Sequence, residues 1–448
     1  MLCRAKLVPN SCLWKKLFCR TYLSNEFKCT NEWSSRLNAP FMQKFKLESF
    51  YYDIEQSFNS QKKASAIDVD LFANKITPED DDHHLEEIRV LLKKFRLTEE
   101  ATNALDSTSH AVIRSFTDAG KITDLIDILD NRLEYGVFLD DYSASYLLDH
   151  LIKTGDFTAA AKVSAQLMLQ EDFNNELSRA LALYSFYKYL DNPEPFYTEN
   201  KTNNQESQDK EEVKKVRVKY LRNEFFDNHF DLRDHFIITG KSLNAISKYL
   251  DKNLTYSIRL LGNVYCRKFD ACMELLNSDE ALFHKDVIEK ALKHLEKLVS
   301  EEKELQDNEA FANVHTSLKN LISNNKLQQQ SLSDDIEVLV KQAVAKFEKI
   351  ELEKQKEIYE MWNKHREIKL NEEIERLNRV KRLQEIEDLT KEMETEEQKL
   401  WFFENEDKID LQIDSKKVYY PKRWFGKKKK PRVVDEGYVP PEIVKTRN

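Results

Sequence analysis

The side chains best suited to chemistry in this 448-residue chain crowd towards its carboxyl end. Between Lys416 and Arg432 stand nine cations, Lys416, Lys417, Lys422, Arg423, Lys427, Lys428, Lys429, Lys430 and Arg432, with no acid among them. Tyr419, Tyr420, Trp424 and Phe425 are interleaved. Cations at this density neutralise phosphates and release condensed counterions, while aromatic rings stack on unpaired bases. The segment therefore suits structured RNA, with the nine cations plus Tyr420 and Trp424 as the expected contact residues. A solvated tail, or a mimic of a nuclear-localisation signal in Lys-Lys-Lys-Lys-Pro-Arg, is the alternative.

Other reactive residue types do not converge. Glu79-Asp80-Asp81-Asp82-His83-His84 has metal-binding composition, but an acidic run before a helix is favourable against the helix dipole without an ion. His229 and His235 lack the i, i+4 spacing of a zinc helix. Four of the six cysteines, Cys3, Cys12, Cys19 and Cys29, precede residue 30. Cys266 and Cys272, six apart on a helix, point in different directions, and read as reduced core thiols. Only seven glycines occur and no two are closer than eleven residues, which removes the Gly-rich loops that cradle nucleotides. We expect no catalytic residue, metal, cofactor or small-molecule substrate. A formal net charge of −9 argues against RNA binding over the whole surface and for local basic blocks.

Residues 1–24 read as an address. From Met1 to Asn25 there are five cations, Arg4, Lys6, Lys15, Lys16 and Arg20, and no acid, interleaved with Leu7, Leu13, Trp14, Leu17 and Phe18. This is the composition of a mitochondrial transit peptide. Arg20-Thr21-Tyr22-Leu23-Ser24 resembles the arginine-directed site of the matrix processing peptidase, with cleavage after Tyr22. The apolar runs are too short and broken for a membrane span.

The elements that carry these groups are helices. No glycine lies between Gly262 and Gly426 and no proline between Pro195 and Pro421, which favours long uninterrupted helices. The stretch from His110 to Gly120 superposes on Ser145 to Gly155 at an offset of 35 residues. Val112 maps to Leu147, Ile113 to Leu148, Phe116 to Leu151, Gly120 to Gly155 and Ile122 to Phe157. Apolar spacings of three and four mark one helix before each glycine and one after it. Gly120 and Gly155 fit the left-handed position that ends the first helix. Leu183 and Phe186 continue the phase, His84 to Phe95 supplies a loosely registered helix upstream, and Asp234 to Gly240 repeats the wording of Asp149 to Gly155. Gly240 is therefore expected to be a third turn glycine. A polar insert over 191–214 reads as a disordered loop. Stacked pairs of this kind form an α-solenoid.

The 35-residue unit resembles the pentatricopeptide pattern. Within it, Leu129 to Ser143, Leu147 to Lys153 and Ala160 to Phe173, with Leu91 to Arg96 upstream, resemble the family of small-subunit protein twenty-seven of the mitochondrial ribosome. That resemblance implies a non-catalytic matrix protein that contacts small-subunit ribosomal RNA and neighbouring ribosomal proteins. In base-reading pentatricopeptide proteins, one side chain early in the first helix and one at the repeat junction select a nucleotide. The matching positions here fall near His110 and Ser145, with Asp140 or Asp141 at the junction. Two clear consecutive units are too few for a code, so these positions are expected to be solvated helix residues.

Over 326–400 the chain reads as a long charged helix with many opposite charges at i and i+4. Its apolar series Leu370, Ile374, Leu377, Val380, Leu383, Ile386, Leu389 and Met393 is spaced mostly by three and so winds round the helix, unlike a coiled-coil seam. A projecting helix or an imperfect antiparallel hairpin docking on other subunits is expected, with Trp401-Phe402-Phe403 as an anchor or packed back on its own chain. The full expectation is an all-α chain: transit peptide 1–24, arm 25–65, pentatricopeptide-like helical-repeat domain 66–300, long helix 326–400, basic aromatic tail 401–448. Its expected function is that of a structural RNA-binding component of the small mitochondrial ribosomal subunit. A nonribosomal pentatricopeptide-type factor for mitochondrial transcripts and a protein-only scaffold are the alternatives.

Overall fold

The computed structural model describes residues 21–77, 82–196, 234–278, 282–301, 309–323, 327–328 and 330–416. Arg20, His229, most of the polar insert, and the tail residues from Lys417 to Arg432, Tyr420 and Trp424 included, lie outside these. The described residues fold as α-helices with a single two-residue parallel pairing, β1 (Phe283–His284) with β2 (Leu327–Gln328).

The helices are α1 (Thr30–Ser35), α2 (Leu47–Gln61), α3 (Ala66–Lys75), α4 (Asp82–Arg96), α5 (Asp106–Asp118), α6 (Ile122–Asp130), α7 (Arg132–Tyr135), α8 (Asp141–Thr154) and α9 (Phe157–Leu169). There follow α10 (Glu176–Tyr189), α11 (His235–Ser247), α12 (Lys252–Tyr265), α13 (Phe269–Leu276), α14 (Lys285–Glu301), α15 (Glu309–Ser323) and α16 (Leu332–Ser415). The starts of α5, α8 and α10 keep the 35-residue spacing, as do those of α6 and α9.

Local chemistry sets these boundaries. Asp140, Asp156 and Asn175 each cap a helix by accepting a backbone N–H of its first turn, which satisfies donors that have no intrahelical partner. Gly120 and Gly155 have φ of +74° and +78°. The N–H of the next residue then reaches back, from Lys121 to the Phe116 carbonyl at 3.0 Å and from Asp156 to that of Leu151 at 3.1 Å. Both turns close in the same way because the left-handed residue costs a glycine little.

Packing arranges the first helices in a row, α3 on α5, α5 on α8 and α8 on α10, while α6 and α9 form the second layer. Beyond the insert, α10 packs on α11 and α11 on α12, followed by α13, α14 and α15. Apolar residues of all these helices share one continuous core.

Three expectations require correction. The arm over 25–65 is not an appendage, since α2 packs on α3 and Phe27 and Trp33 enter the core. Residues 191–196 of the insert are folded, because Phe196 is buried against Tyr189 and the Tyr189 hydroxyl donates to the Glu194 carbonyl at 2.5 Å. Gly240 is not a turn glycine. Asp234 is the N-cap of α11, accepting from the Phe236 N–H at 2.9 Å, and Gly240 sits inside that helix. Its lack of a side chain is used for close approach, since a Cβ there would lie 2.7 Å from the Gly262 carbonyl oxygen of α12.

The chain divides into two compact units at residue 370, and the second, from Asn371, is described only as helix up to Ser415. A hairpin within the long charged segment is excluded by that unbroken helix, which also runs through Trp401-Phe402-Phe403. All three rings are exposed.

Candidate nucleic-acid interface

The repeat face is where a pentatricopeptide array would hold a strand, and here it is filled by the chain itself. Starting from Arg366 and moving back along α16, its partners advance along the row of first helices. Arg366 Nε donates to Asp70 Oδ2 at 2.6 Å and Nη2 to Asn74 Oδ1 at 2.8 Å, both on α3. The Tyr359 hydroxyl meets His110 Nε2 at 2.9 Å and accepts from Arg114 Nη1 at 3.0 Å, both on α5. Glu351 accepts from Asn175 Nδ2 at 3.0 Å at the start of α10, and Ser333 accepts from Lys188 Nζ at 3.0 Å at its far end. Leu332, Ile336, Val340, Ala343, Gln355, Tyr359 and Arg366 of α16 are buried along this line.

The positions matched to base reading are consequently internal. His110 is 3% exposed and Ser145 1%. Arg114 has only donors to offer, so the Tyr359 oxygen accepts from it and its own O–H donates to His110 Nε2. His110 Nδ1–H then donates to the Ser143 hydroxyl at 2.9 Å. Burial, with Arg114, Arg36 and Arg366 nearby, holds the His110 imidazole well below its usual range and therefore neutral. Trp33 of α1 and Trp362 of α16 pack their rings 5.2 Å from His110. At the junction, Asp140 caps α8. The Asp141 carboxyl is pushed up to about 6 by burial, with Asp172 and Glu351 adding repulsion. His110 and Ser145 are thus neither solvated, as expected from sequence, nor open to a base, whereas Asp141 is half-buried and Asp140 is exposed at the helix start.

The Asp70 centre is fully enclosed. Its Oδ1 accepts from Ser107 Oγ at 2.5 Å, Thr108 Oγ1 at 2.8 Å and Asn74 Nδ2 at 2.9 Å, leaving Oδ2 for Arg366. A buried ion pair satisfied on every side in this way fixes one register between two elements. The sequence signal for this docked half of α16 was present: Gln355, Tyr359, Trp362 and Arg366 follow i, i+4, i+7, i+11, one face of a helix. The longer apolar series further along the same helix masks this face in the sequence.

Cations unengaged by this packing gather elsewhere. A cleft of about 490 Å³ between α11 and α12 is lined by Lys248, Lys252, Arg259 and Lys268, with Asn244, Asn263, Thr255 and Tyr256 between them and no acid in the lining. All four cations are exposed, and none forms an ion pair among the described residues. The arrangement can accept successive phosphates, with amide and hydroxyl groups at hydrogen-bonding positions. Sequence reading missed it because the four are dispersed over 21 residues and come together only when α11 turns back on α12. Of the tail residues, Lys416 is described, exposed, immediately after the end of α16.

The remaining candidates have structural partners. Cys266 and Cys272 are free thiols pushed up by burial to about 11 and about 12. His84 Nδ1 lies 2.7 Å from Glu87 Oε2, one turn along α4. Among the described residues, no group of three or more His, Cys, Asp or Glu could hold a metal ion, and no helix is long and apolar enough to cross a membrane.

Comparison with known families matches residues 2–392 to the family model described as mitochondrial 28S ribosomal protein S27.

Proposed function

Because the chain belongs to the mitochondrial 28S ribosomal protein S27 family, and so is a small-subunit ribosomal protein of the mitochondrial matrix, we propose that it is a structural, RNA-binding component that supports mitochondrial translation. It binds ribosomal RNA through phosphate-neutralising clusters outside the repeat groove, and packs against neighbouring ribosomal proteins. The observation that carries this reading is the filled groove beside an open basic cleft. Of the positions through which a pentatricopeptide array selects bases, His110 is buried against α16 and Ser145 is buried, whereas Lys248, Lys252, Arg259 and Lys268 stand exposed without ion-pair partners among the described residues. Phosphate contacts position a protein on RNA without reading sequence, which fits a scaffold better than a transcript-specific factor. The basic aromatic tail adds a second contact by composition, and the exposed apolar side chains of the helix beyond Asn371 offer surface to protein neighbours.

Sedimentation tests this. In a mitochondrial lysate resolved on a sucrose gradient under intact-ribosome conditions, the protein is expected in the small-subunit peak, and ultraviolet crosslinking is expected to recover ribosomal RNA. A free low-mass peak sinks the ribosomal assignment. Recovery of messenger RNA favours the transcript factor, and complexes unaltered by RNase favour a protein-only scaffold.

A further inference from the structure

The amino end of the described chain meets an acid in an arrangement that RNA binding does not use. The backbone N–H groups of Tyr22 and Leu23 both donate to Asp149 Oδ1, at 3.1 and 3.2 Å, and the next N–H, that of Ser24, donates to Glu348 Oε1 at 2.6 Å. Three successive amides of one segment therefore face carboxylates, one on α8 and one on α16. Asp149 forms no ion pair among the described residues. Burial pushes its carboxyl above the usual range while the two N–H groups, then Lys153 and Lys28 at longer range, pull it back. Leu23 is 7% exposed and Phe27 1%, and Tyr22 packs its ring edge-on against Tyr184 at 5.2 Å, so the segment is anchored on both sides of this acid. A half-buried carboxylate with two neutral donors on one oxygen is a better seat for an ammonium than for an amide, because the ammonium keeps the hydrogen bond and adds the opposite charge that the amides lack.

The sequence places a cleavage motif at the same residues, Arg20-Thr21-Tyr22-Leu23-Ser24. We propose that the Tyr22–Leu23 bond is the processing site and that the amino terminus it releases docks on Asp149 as a structural ion pair. Hydrolysis by the matrix processing peptidase adds water across the amide. The hydroxyl goes to the Tyr22 carbonyl carbon, the C–N bond breaks, and the acid proton passes to the amine. The products are a Tyr22 carboxylate and a Leu23 ammonium whose nitrogen already lies within hydrogen-bond reach of Asp149 Oδ1. The Tyr22 donor is lost, and the extra N–H bonds of the ammonium replace it on the same oxygen. The proposal rests on the matrix location of the family and is independent of RNA binding.

Mass spectrometry of the amino-terminal peptide of protein isolated from mitochondria is the first test. Leu23 is the expected first residue, and any other terminus overturns the proposal. The second test is a cycle between chain length and charge. Purified chains beginning at Met1 or at Leu23, each with and without Asp149→Asn, are unfolded in urea at pH 7. The substitution is expected to reduce the folding constant about tenfold more in the chain beginning at Leu23. Equal losses in both overturn the proposal. Should the Asp149→Asn chains fail to fold, acetylation of the Leu23 amine in the unsubstituted chain is read instead, with loss of stability expected and no change overturning the idea.

Discussion

Arg366 and Asp70 are 296 residues apart in sequence and 2.6 Å apart in the fold. Asp70 is fully buried and Arg366 nearly so, so the pair is screened from salt and water, and what matters is the cost of leaving either charge alone. Arg366→Met is expected to destabilise the protein by about 3–5 kcal/mol in urea unfolding, since Asp70 would keep three neutral donors and lose the cation paired with it. Adding Asp70→Asn to Arg366→Met should recover part of that loss, which identifies the coupling as electrostatic. A loss below about 1 kcal/mol for Arg366→Met, the size of an exposed pair, would mean that α16 is not locked here. The sequence shows Arg366 on one helix face with Gln355, Tyr359 and Trp362, but not its pairing with Asp70. Asp70 sits within an ordinary helix and Arg366 in a run of charges that reads as solvated, and only the tertiary approach of α16 to α3 separates this pair from those that face water. His110 is the same case. Its spacing within the repeat was visible, but its burial by Tyr359, Trp362 and Trp33 was not.

At the scale of elements, sequence was most informative where a local rule sets the structure and least where a neighbour does. The 35-residue spacing of helix starts and the left-handed glycines at 120 and 155 follow from periodicity and turn chemistry within a few residues. Thr239-Gly240 carries the same two letters as Thr154-Gly155, yet one glycine ends a helix and the other lies within one, because the second is chosen for its contact with α12. A test separates the two uses. Gly120→Ala meets nothing within 4 Å and suffers only its left-handed backbone, about 1–2 kcal/mol. Gly240→Ala gains about 1 kcal/mol of helix propensity but drives a Cβ to 2.7 Å from a carbonyl oxygen and 2.9 Å from the Cys266 nitrogen, both backbone atoms that cannot swing aside. The helices must separate, and overpacking of this kind costs about 1–3 kcal/mol. A thermal melt in which Gly240→Ala is as stable as the parent would show that α11 and α12 slide apart freely. The long charged segment was likewise half legible: its helicity follows from composition, whereas the burial of its first half depends on a groove that the repeats build.

Across the whole molecule, the net charge of −9 and the proposed RNA contact are reconciled by segregation. Acids and bases of the repeat domain neutralise one another in pairs such as Arg89–Asp127 and Lys290–Asp191, while the cleft cations form no ion pair among the described residues. Affinity for RNA should then come from two separable blocks whose contributions can be counted by salt. Each phosphate neutralised on a single strand contributes about −0.7 to the slope of log K against log salt. Replacing Lys248, Lys252, Arg259 and Lys268 by Gln should therefore flatten the slope by about 3 units if all four meet phosphates. The change should leave the melting temperature nearly unaltered, since surface substitutions away from ion pairs shift stability by about 0.5 kcal/mol or less. Replacing the tail cations from Lys416 to Arg432 should flatten it by about another 3 if half of the nine engage. The two losses should add, because the blocks act through separate phosphates. Filter binding of the purified chain to small-subunit ribosomal RNA fragments between 50 and 300 mM salt would measure both slopes. If the cleft substitutions leave the slope unchanged while the tail substitutions abolish it, the cleft faces solvent or protein in the assembled subunit, and the tail alone holds the RNA.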